Sequence, residues 1–322
     1  AWAVATAITW VSLAVALALL DRVLESGAII YSLGGWQAPW GIEYRIDLAN
    51  AFLLVIVTTI GSIVMPYARA SVEAEIPEER IYLFYCMYLL NLAGLLGIAI
   101  TGDVFNLFVF LEISSLSSYV MISLGRDRQA LTAAYRYLIM GTIGATFYII
   151  GVGMMYQRTG TLNMADLAGR LPAVAETKTI LVAVGFLTVG IGLKMGLFPL
   201  HLWLPNAYTY APSVVTAFLA ATATKVAVYV LLRIYYTFFG AGIFEGLPVS
   251  NLLLALGIIA ALGMSAVAIF QDNAKRLLAY SSVAQLGYIV IGISLVTATG
   301  AMASILHLFN HALIKGSLFL VL

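Results

Sequence analysis

Ten apolar runs, each near the length that crosses a bilayer, constrain this chain more than any other feature. A helix needs roughly 20 residues to span the hydrocarbon core. That ruler places spans at 1–20, 47–70, 81–101, 103–124, 129–156, 179–198, 208–238, 247–270, 274–298 and 300–322. The strands of a membrane barrel would be about ten residues long and strictly alternating. These runs are longer and do not alternate, so they read as helices. Of the 322 residues, 62% are hydrophobic and 10% charged, against about 25% charged in a soluble domain. The expectation is an all-α, polytopic membrane bundle, one domain over 1–322, with no soluble domain.

Other classes fall away quickly. The formal charge is +1, which offers no basic face for nucleic acid. Cys86 is the single cysteine, so neither an internal disulfide nor a multi-cysteine metal site is available. The first run lacks the basic flank of a signal peptide, and many spans follow it. Ala1 and Leu322 both lie inside apolar runs, and we expect a chain truncated at both ends.

Two connections are long. Residues 21–46 hold Gly34, Gly35, Trp36, Pro39, Trp40 and Gly41, which read as turns with interface aromatics. Residues 157–178 carry Leu162, Met164, Leu167 and Leu171 near helical spacing, which predicts a short interfacial helix. Arg69, Arg80, Arg126, Arg128, Lys275 and Arg276 lie on the even-numbered connections. Arg22, Arg45, Arg158, Arg170 and Lys178 lie on the first and fifth. The short connections favour the even side as cytoplasmic, although Glu73, Glu75, Glu78 and Glu79 crowd one of them.

Ionisable residues inside the spans carry the functional signal. A charge at the bilayer centre costs about 2.5–3.5 kcal/mol on insertion scales. Glu112 lies near mid-span beside Ser114, Ser115, Ser117 and Ser118. It reads either as a neutral acid held by those hydroxyls, or as a proton-binding carboxylate, or as one paired with a buried lysine. Lys194 is flanked by Gly190, Gly192 and Gly196, with Pro199 following. Such interruptions mark places where backbone lines a cavity; the alternative is a snorkelling lysine. Lys225 sits deep in its run among Ala220, Ala221, Thr222, Ala223 and Thr224, small residues that permit close packing. Arg233, nearer the end, reads as an interface anchor. Asp103 and Asp272 lie near span ends and read either as proton-entry groups or, the stronger reading, as groups that satisfy helix termini.

His307, His311 and Lys315 recur every fourth residue and form one stripe on a helix face. Histidines four apart suit a metal, but no carboxylate or cysteine accompanies them, so no metal is assigned. A packed neutral pair is possible; a titratable relay is the stronger reading, since imidazole exchanges protons near neutrality. Burial shifts lysine and glutamate pKa values toward the neutral forms, and a nearby partner opposes that. A changing Glu–Lys distance therefore changes proton affinity.

The strings GDVFNLFVFLEISSLSSY, GLKMGLFPLHLWLPNAY, TKVAVYVLLRI, QDNAKRLLAYSSVAQLGY and HLFNHALIKGSLFL resemble the antiporter-type subunits shared by complex I (NADH:quinone oxidoreductase), Mrp cation/proton antiporters and membrane-bound hydrogenases. GGWQAPWGIEYRID and TGDVFNLFVFLE are most similar to the Mrp D subunit. The resemblance implies an antiporter-like fold of about fourteen helices, with inverted repeats that each hold a discontinuous helix. The first repeat would lie within 47–238, and the second, incomplete, would start near 247. It implies that Glu112 and Lys194 are the family's glutamate and first broken-helix lysine. Lys225 would be the bridging lysine, and His307, His311 and Lys315 would line the central axis. It further implies proton transport, Na⁺ remaining open, through a multisubunit complex in a prokaryotic cell membrane. No cofactor and no chemistry are expected in this chain alone; an oxidoreductase activity would belong to the assembly. The spans require a lipid bilayer as partner. An autonomous solute carrier and a structural membrane anchor are the competing classes. We also expect helix interruptions at Gly196–Pro199 and at Lys315–Gly316.

Overall fold

The computed structural model describes residues 1–322 and contains 10 helices long and apolar enough to cross a membrane. They are α1 (Trp2–Ser26), α2 (Leu48–Glu75), α3 (Ile81–Ile100), α4 (Val104–Ser123), α5 (Arg128–Thr159), α7 (Lys178–Met195), α9 (Ser213–Leu232, continued by a π-helix over Arg233–Phe238), α11 (Pro248–Ile269), α12 (Ala274–Ser294) and α13 (Ala298–Val321). Three short helices complete the set: α6 (Met164–Arg170), α8 (Leu204–Tyr210) and α10 (Ala241–Gly246). Each long helix forms where hydrocarbon leaves the backbone no other partner than itself. The all-α bundle and its span count match the reading of the sequence.

The bundle is built round α9. It is enclosed by α2, α3, α4, α7, α12 and α13, and nearly all its residues are buried. Small residues make this possible: Ala217, Ala220, Ala221 and Ala227 are all buried, letting neighbouring backbones approach. Close approach also joins α3 to α4. A Cβ on Gly94 would lie 2.7 Å from the Ser114 backbone nitrogen, so only glycine allows the serine-rich face of α4 to press there. Asn91, one turn earlier, donates to the Ser114 carbonyl, Ser117 Oγ and Ser118 Oγ.

Residues 21–46 differ from expectation. α1 runs on to Ser26, and β1 (Ile29–Ser32) pairs antiparallel with β2 (Glu43–Ile46), Ile30 opposite Arg45 and Tyr31 opposite Tyr44. The tip exposes Trp36 and Trp40, as interface aromatics do. Strands this short carry too few residues to declare alternation. The hairpin is held by the α3–α4 connection, where the Gly102 amide donates to the Glu43 carbonyl at 2.9 Å. The short helix expected within 157–178 is present as α6, capped by Asn163.

α7 stops at Met195, as the Gly196–Pro199 signal predicts. Gly196 takes φ +75°, and a Cβ there would lie 2.7 Å from Leu204 Cδ1. The chain turns through Leu197–Trp203 before α8 resumes. Trp203 Nε1 donates to the freed Leu193 carbonyl at 2.8 Å, and its ring stacks on Tyr137 at 3.8 Å. The second expected interruption is absent: α13 is continuous through Lys315 and Gly316. Gly316 instead gives α13 a close approach to α9, with Ala221 Cβ 3.4 Å from where its own Cβ would stand.

Candidate functional site

The broken end of α7 delivers Lys194 to the face of α4. Lys194 Nζ donates to Glu112 Oε1 at 3.0 Å and to Ser115 Oγ at 2.6 Å. The lysine side chain is 4% exposed and the glutamate 24%, so the pair spans from an enclosed ammonium to a partly open carboxylate. Lys194 does not snorkel. Of the serines beside Glu112, only Ser115 joins the pair. Ser114, Ser117 and Ser118 satisfy Asn91 and their own helix.

A cavity of about 20 Å³ adjoins Lys194, bounded by Ser114, Ser115, Ser118 and Tyr137 on one side and by Ala223, Val226 and Ala227 of α9 on the other. That is room for about one water. It separates the Glu112–Lys194 pair from the stretch of α9 that carries Lys225.

Lys225 is fully buried. Its ammonium donates to the Ala220 carbonyl at 2.6 Å and to Thr224 Oγ1 at 3.3 Å, and no carboxylate pairs with it. The helix that carries Lys315, α13, packs against α9. Lys315 Nζ in turn donates to the Leu278 carbonyl of α12 at 2.9 Å.

The α13 stripe faces inward along α12. His311 and Lys315 are both 1% exposed. His307 and His311 lie nearly parallel, with ring centroids 6.4 Å apart. His307 Nε2 meets Gln285 Oε1 at 2.7 Å. A carbonyl oxygen only accepts, so Nε2 carries the proton in this pairing. Neither ring nitrogen of His311 has a protein partner. An unpartnered buried imidazole is expensive, so His311 is a polar group that the protein alone leaves unsatisfied. No group of three or more His, Cys, Asp or Glu side chains gathers as a metal site.

Three residues not singled out from the sequence stand beside these groups: His201, Glu75 and Lys275. His201 lies in the break between α7 and α8, buried against Phe198 and Tyr280, with Nδ1 unpartnered. Its signal was available, as the one histidine within the Gly- and Pro-rich break. Glu75 of α2 accepts the Ser213 amide with both oxygens, at 3.1 and 2.9 Å, and so caps α9. Lys275 Nζ donates to Ser213 Oγ at 2.9 Å. The order of α9 thus depends on groups from α2 and α12. Only the fold brings these three together.

Arg233 is corrected. It does not reach for water as an interface anchor. Its Nη2 meets both oxygens of Asp47 at 2.6 Å, and its Nε donates to Tyr229 Oη at 2.7 Å. Asp103 caps α4 as expected, accepting the Asn106 amide at 2.7 Å. Asp272 does not cap; its neighbour Asn273 caps α12.

Comparison with known proteins places the chain in a family. The family described as NADH:quinone oxidoreductase/Mrp antiporter, TM, matches residues 101–322. The N subunit of the NADH-quinone oxidoreductase of Desulforudis audaxviator is 46% identical over 95% of this chain and 60% of the relative. The D subunit of the Na(+)/H(+) antiporter of Alkalihalophilus pseudofirmus is 34% identical over 96% of this chain and 61% of the relative. A chain of the archaeal membrane-bound sulfane sulfur reductase superposes with a TM-score of 0.91 at 32% identity, covering 98% of this chain and 63% of that one. The chain spans about three fifths of the length of the curated relatives it matches. On the family match, the sequence motifs and the shared fold, this multi-pass membrane chain belongs to the NADH:quinone oxidoreductase/Mrp antiporter transmembrane family.

Proposed function

We propose that this chain is a proton-translocating part of a multisubunit membrane complex. Protons would pass among Glu112, Lys194, Lys225, Lys315, His311 and His307. The observation that carries the reading is the ion pair of Lys194 and Glu112, separated by a one-water cavity from the helix of an unpaired buried lysine. Lys194 has two acceptors within 3.0 Å, and its charged form depends on Glu112 staying close and ionised. When the carboxylate takes a proton or moves away, the ammonium loses its stabilising partner and releases a proton toward α9. Neither Lys225 nor Lys315 has a carboxylate partner, so a proton held on either buried amine is readily passed on. Beyond Glu112, the groups along this path are amines and imidazoles. They exchange protons and offer Na⁺ no carboxylate ligand, which favours H⁺ as the ion carried here.

His201 belongs to the same proposal. It stands at the break, against Tyr280 of α12, two residues from the carbonyl that holds Lys315.

Two assemblies fit. The 46% identity to the N subunit of an oxidoreductase favours a redox-driven complex, while the loop and α4 strings favour an Mrp-type antiporter. Both use the chain as an ion-moving component. The partners copurified with the native protein decide between them. The test of transport itself is the Glu112→Gln variant in membrane vesicles. Proton movement should fall about tenfold or more with the complex still assembled, as expected for a lost proton-transfer group. Near-normal movement would leave a structural anchor as the role.

A further inference from the structure

Where α2, α13 and the π-helix meet, two cavities adjoin, and neither belongs to the proton path. The first is a groove of about 190 Å³, lined almost entirely by apolar side chains, among them Phe52, Ile56, Ala301, Ile305 and Leu308. The second is a polar cavity of about 270 Å³, lined by Arg45, Asp47, Asn50, Thr101 and Arg233 among others. They share Tyr229, Arg233 and Thr237. The joint feature is therefore amphiphilic: an oily slot opening into a wet, charged mouth.

Its orientation in the membrane follows from the helix ends. The polar mouth lies at the start of α2 and beside α6, at the surface that bears the hairpin. The groove runs from Ala49 to Ile56 on α2 and from Ala301 to Leu308 on α13. At 1.5 Å per residue each side is about 10 Å long, which fits within one leaflet of hydrocarbon.

Charge selects the occupant. Within the mouth, Asp47 and Arg233 neutralise each other through two 2.6 Å contacts. Arg45 is left over, with no hydrogen-bond acceptor for its guanidinium and no place in any of the four ion pairs. Glu43, on the same strand, is tucked against Gly102 and does not line the cavity. The mouth thus holds one guanidinium with its donors free, a planar group suited to a phosphate. The π-helix supplies residues to both cavities, and such widened turns recur at functional sites.

We infer that this pair of cavities binds one phospholipid with an anionic headgroup, its phosphate at Arg45 and one acyl chain along the groove between α2 and α13. The site is independent of the proton path. The test is native mass spectrometry of the intact, detergent-solubilised complex exchanged with dioleoyl phosphatidylglycerol. One lipid should stay bound to this chain, while dioleoylglycerol, which lacks the phosphate, should not be retained. Arg45→Gln should lower retention about tenfold, the effect of one lost charge-assisted contact, and Arg45→Lys should restore part of it. Ala301→Trp, which fills the groove, should lower retention with Arg45 intact. Inorganic phosphate in excess should not displace the lipid, because it has no chain for the groove. Unchanged retention in Arg45→Gln would overturn the site, as would displacement by phosphate alone. So would a photocrosslink from residue 301 to protein in place of lipid, since another stretch of chain would then occupy the groove.

Discussion

Lys194 of α7 and Glu112 of α4 meet at 3.0 Å across two spans, and the same ammonium reaches Ser115 at 2.6 Å. The contact needs three separate devices. Gly196 ends α7, Trp203 takes up the freed Leu193 carbonyl, and Gly94 lets α3 press on the serine face of α4. The pair should therefore be coupled energetically as well as close. A double-mutant cycle of Glu112→Gln and Lys194→Met, read by thermal unfolding of the purified complex, should give an interaction of about 1–3 kcal/mol. Additive effects would show that the two charges do not depend on each other.

Glu75 holds the start of α9 from outside that helix. Removing its carboxylate leaves the Ser213 amide without an acceptor, at a cost of about 1–2 kcal/mol for a lost cap. Glu75→Ala should make the Ser213 and Val214 amides exchange with deuterium about tenfold faster, because Ser71, which bonds both Glu75 and the Val214 amide, is released as well. Lys275→Ala, which removes only the contact to Ser213 Oγ and the Ala211 carbonyl, should produce a smaller change. Exchange at α5 amides serves as the control and should not move.

Asp103 supplies a pH signature at the mouth of α4. Burial raises its carboxyl above the usual 3.8, more than the amides of Asn106 and Phe105 lower it. The folded chain then holds this proton more tightly than the unfolded one, so stability falls as pH rises from 3.8 through the folded value. The loss is complete above that value and absent well below 3.8. Asparagine caps helices as well as aspartate does. Asp103→Asn should therefore raise the unfolding temperature at pH 7, with the gain vanishing near pH 3. A gain that persists at low pH would assign the effect to packing.

Much of this was legible in the sequence, and what was not has physical reasons. Spans announce themselves because bilayer thickness sets their length, and mid-span charges stand out because hydrocarbon penalises them. The break at Gly196–Pro199 was readable because a positive φ and a proline both end a helix. Gly316 misled, since a glycine that lets two helices touch is written like one that breaks a helix. The hairpin was too short for alternation to show. Asp47–Arg233 and Glu75–Ser213 join residues more than 130 positions apart, and linear spacing carries no trace of such contacts. Arg233 near the end of a span looks like a snorkelling residue until its partner is in place.

Lys225 is where the proton path is most exposed to test. It is fully buried, its ammonium rests on a backbone carbonyl and a threonine hydroxyl, and no carboxylate holds it. A lysine kept only for packing would tolerate methionine, which has nearly its length and no charge. The decisive measurement is the rate of pH-gradient formation across vesicles containing the assembled complex, wild type against Lys225→Met. A proton-carrying role predicts a loss of about tenfold or more with the composition of the complex unchanged. A rate within about twofold of wild type, a difference of only some 0.4 kcal/mol in barrier, would contradict it.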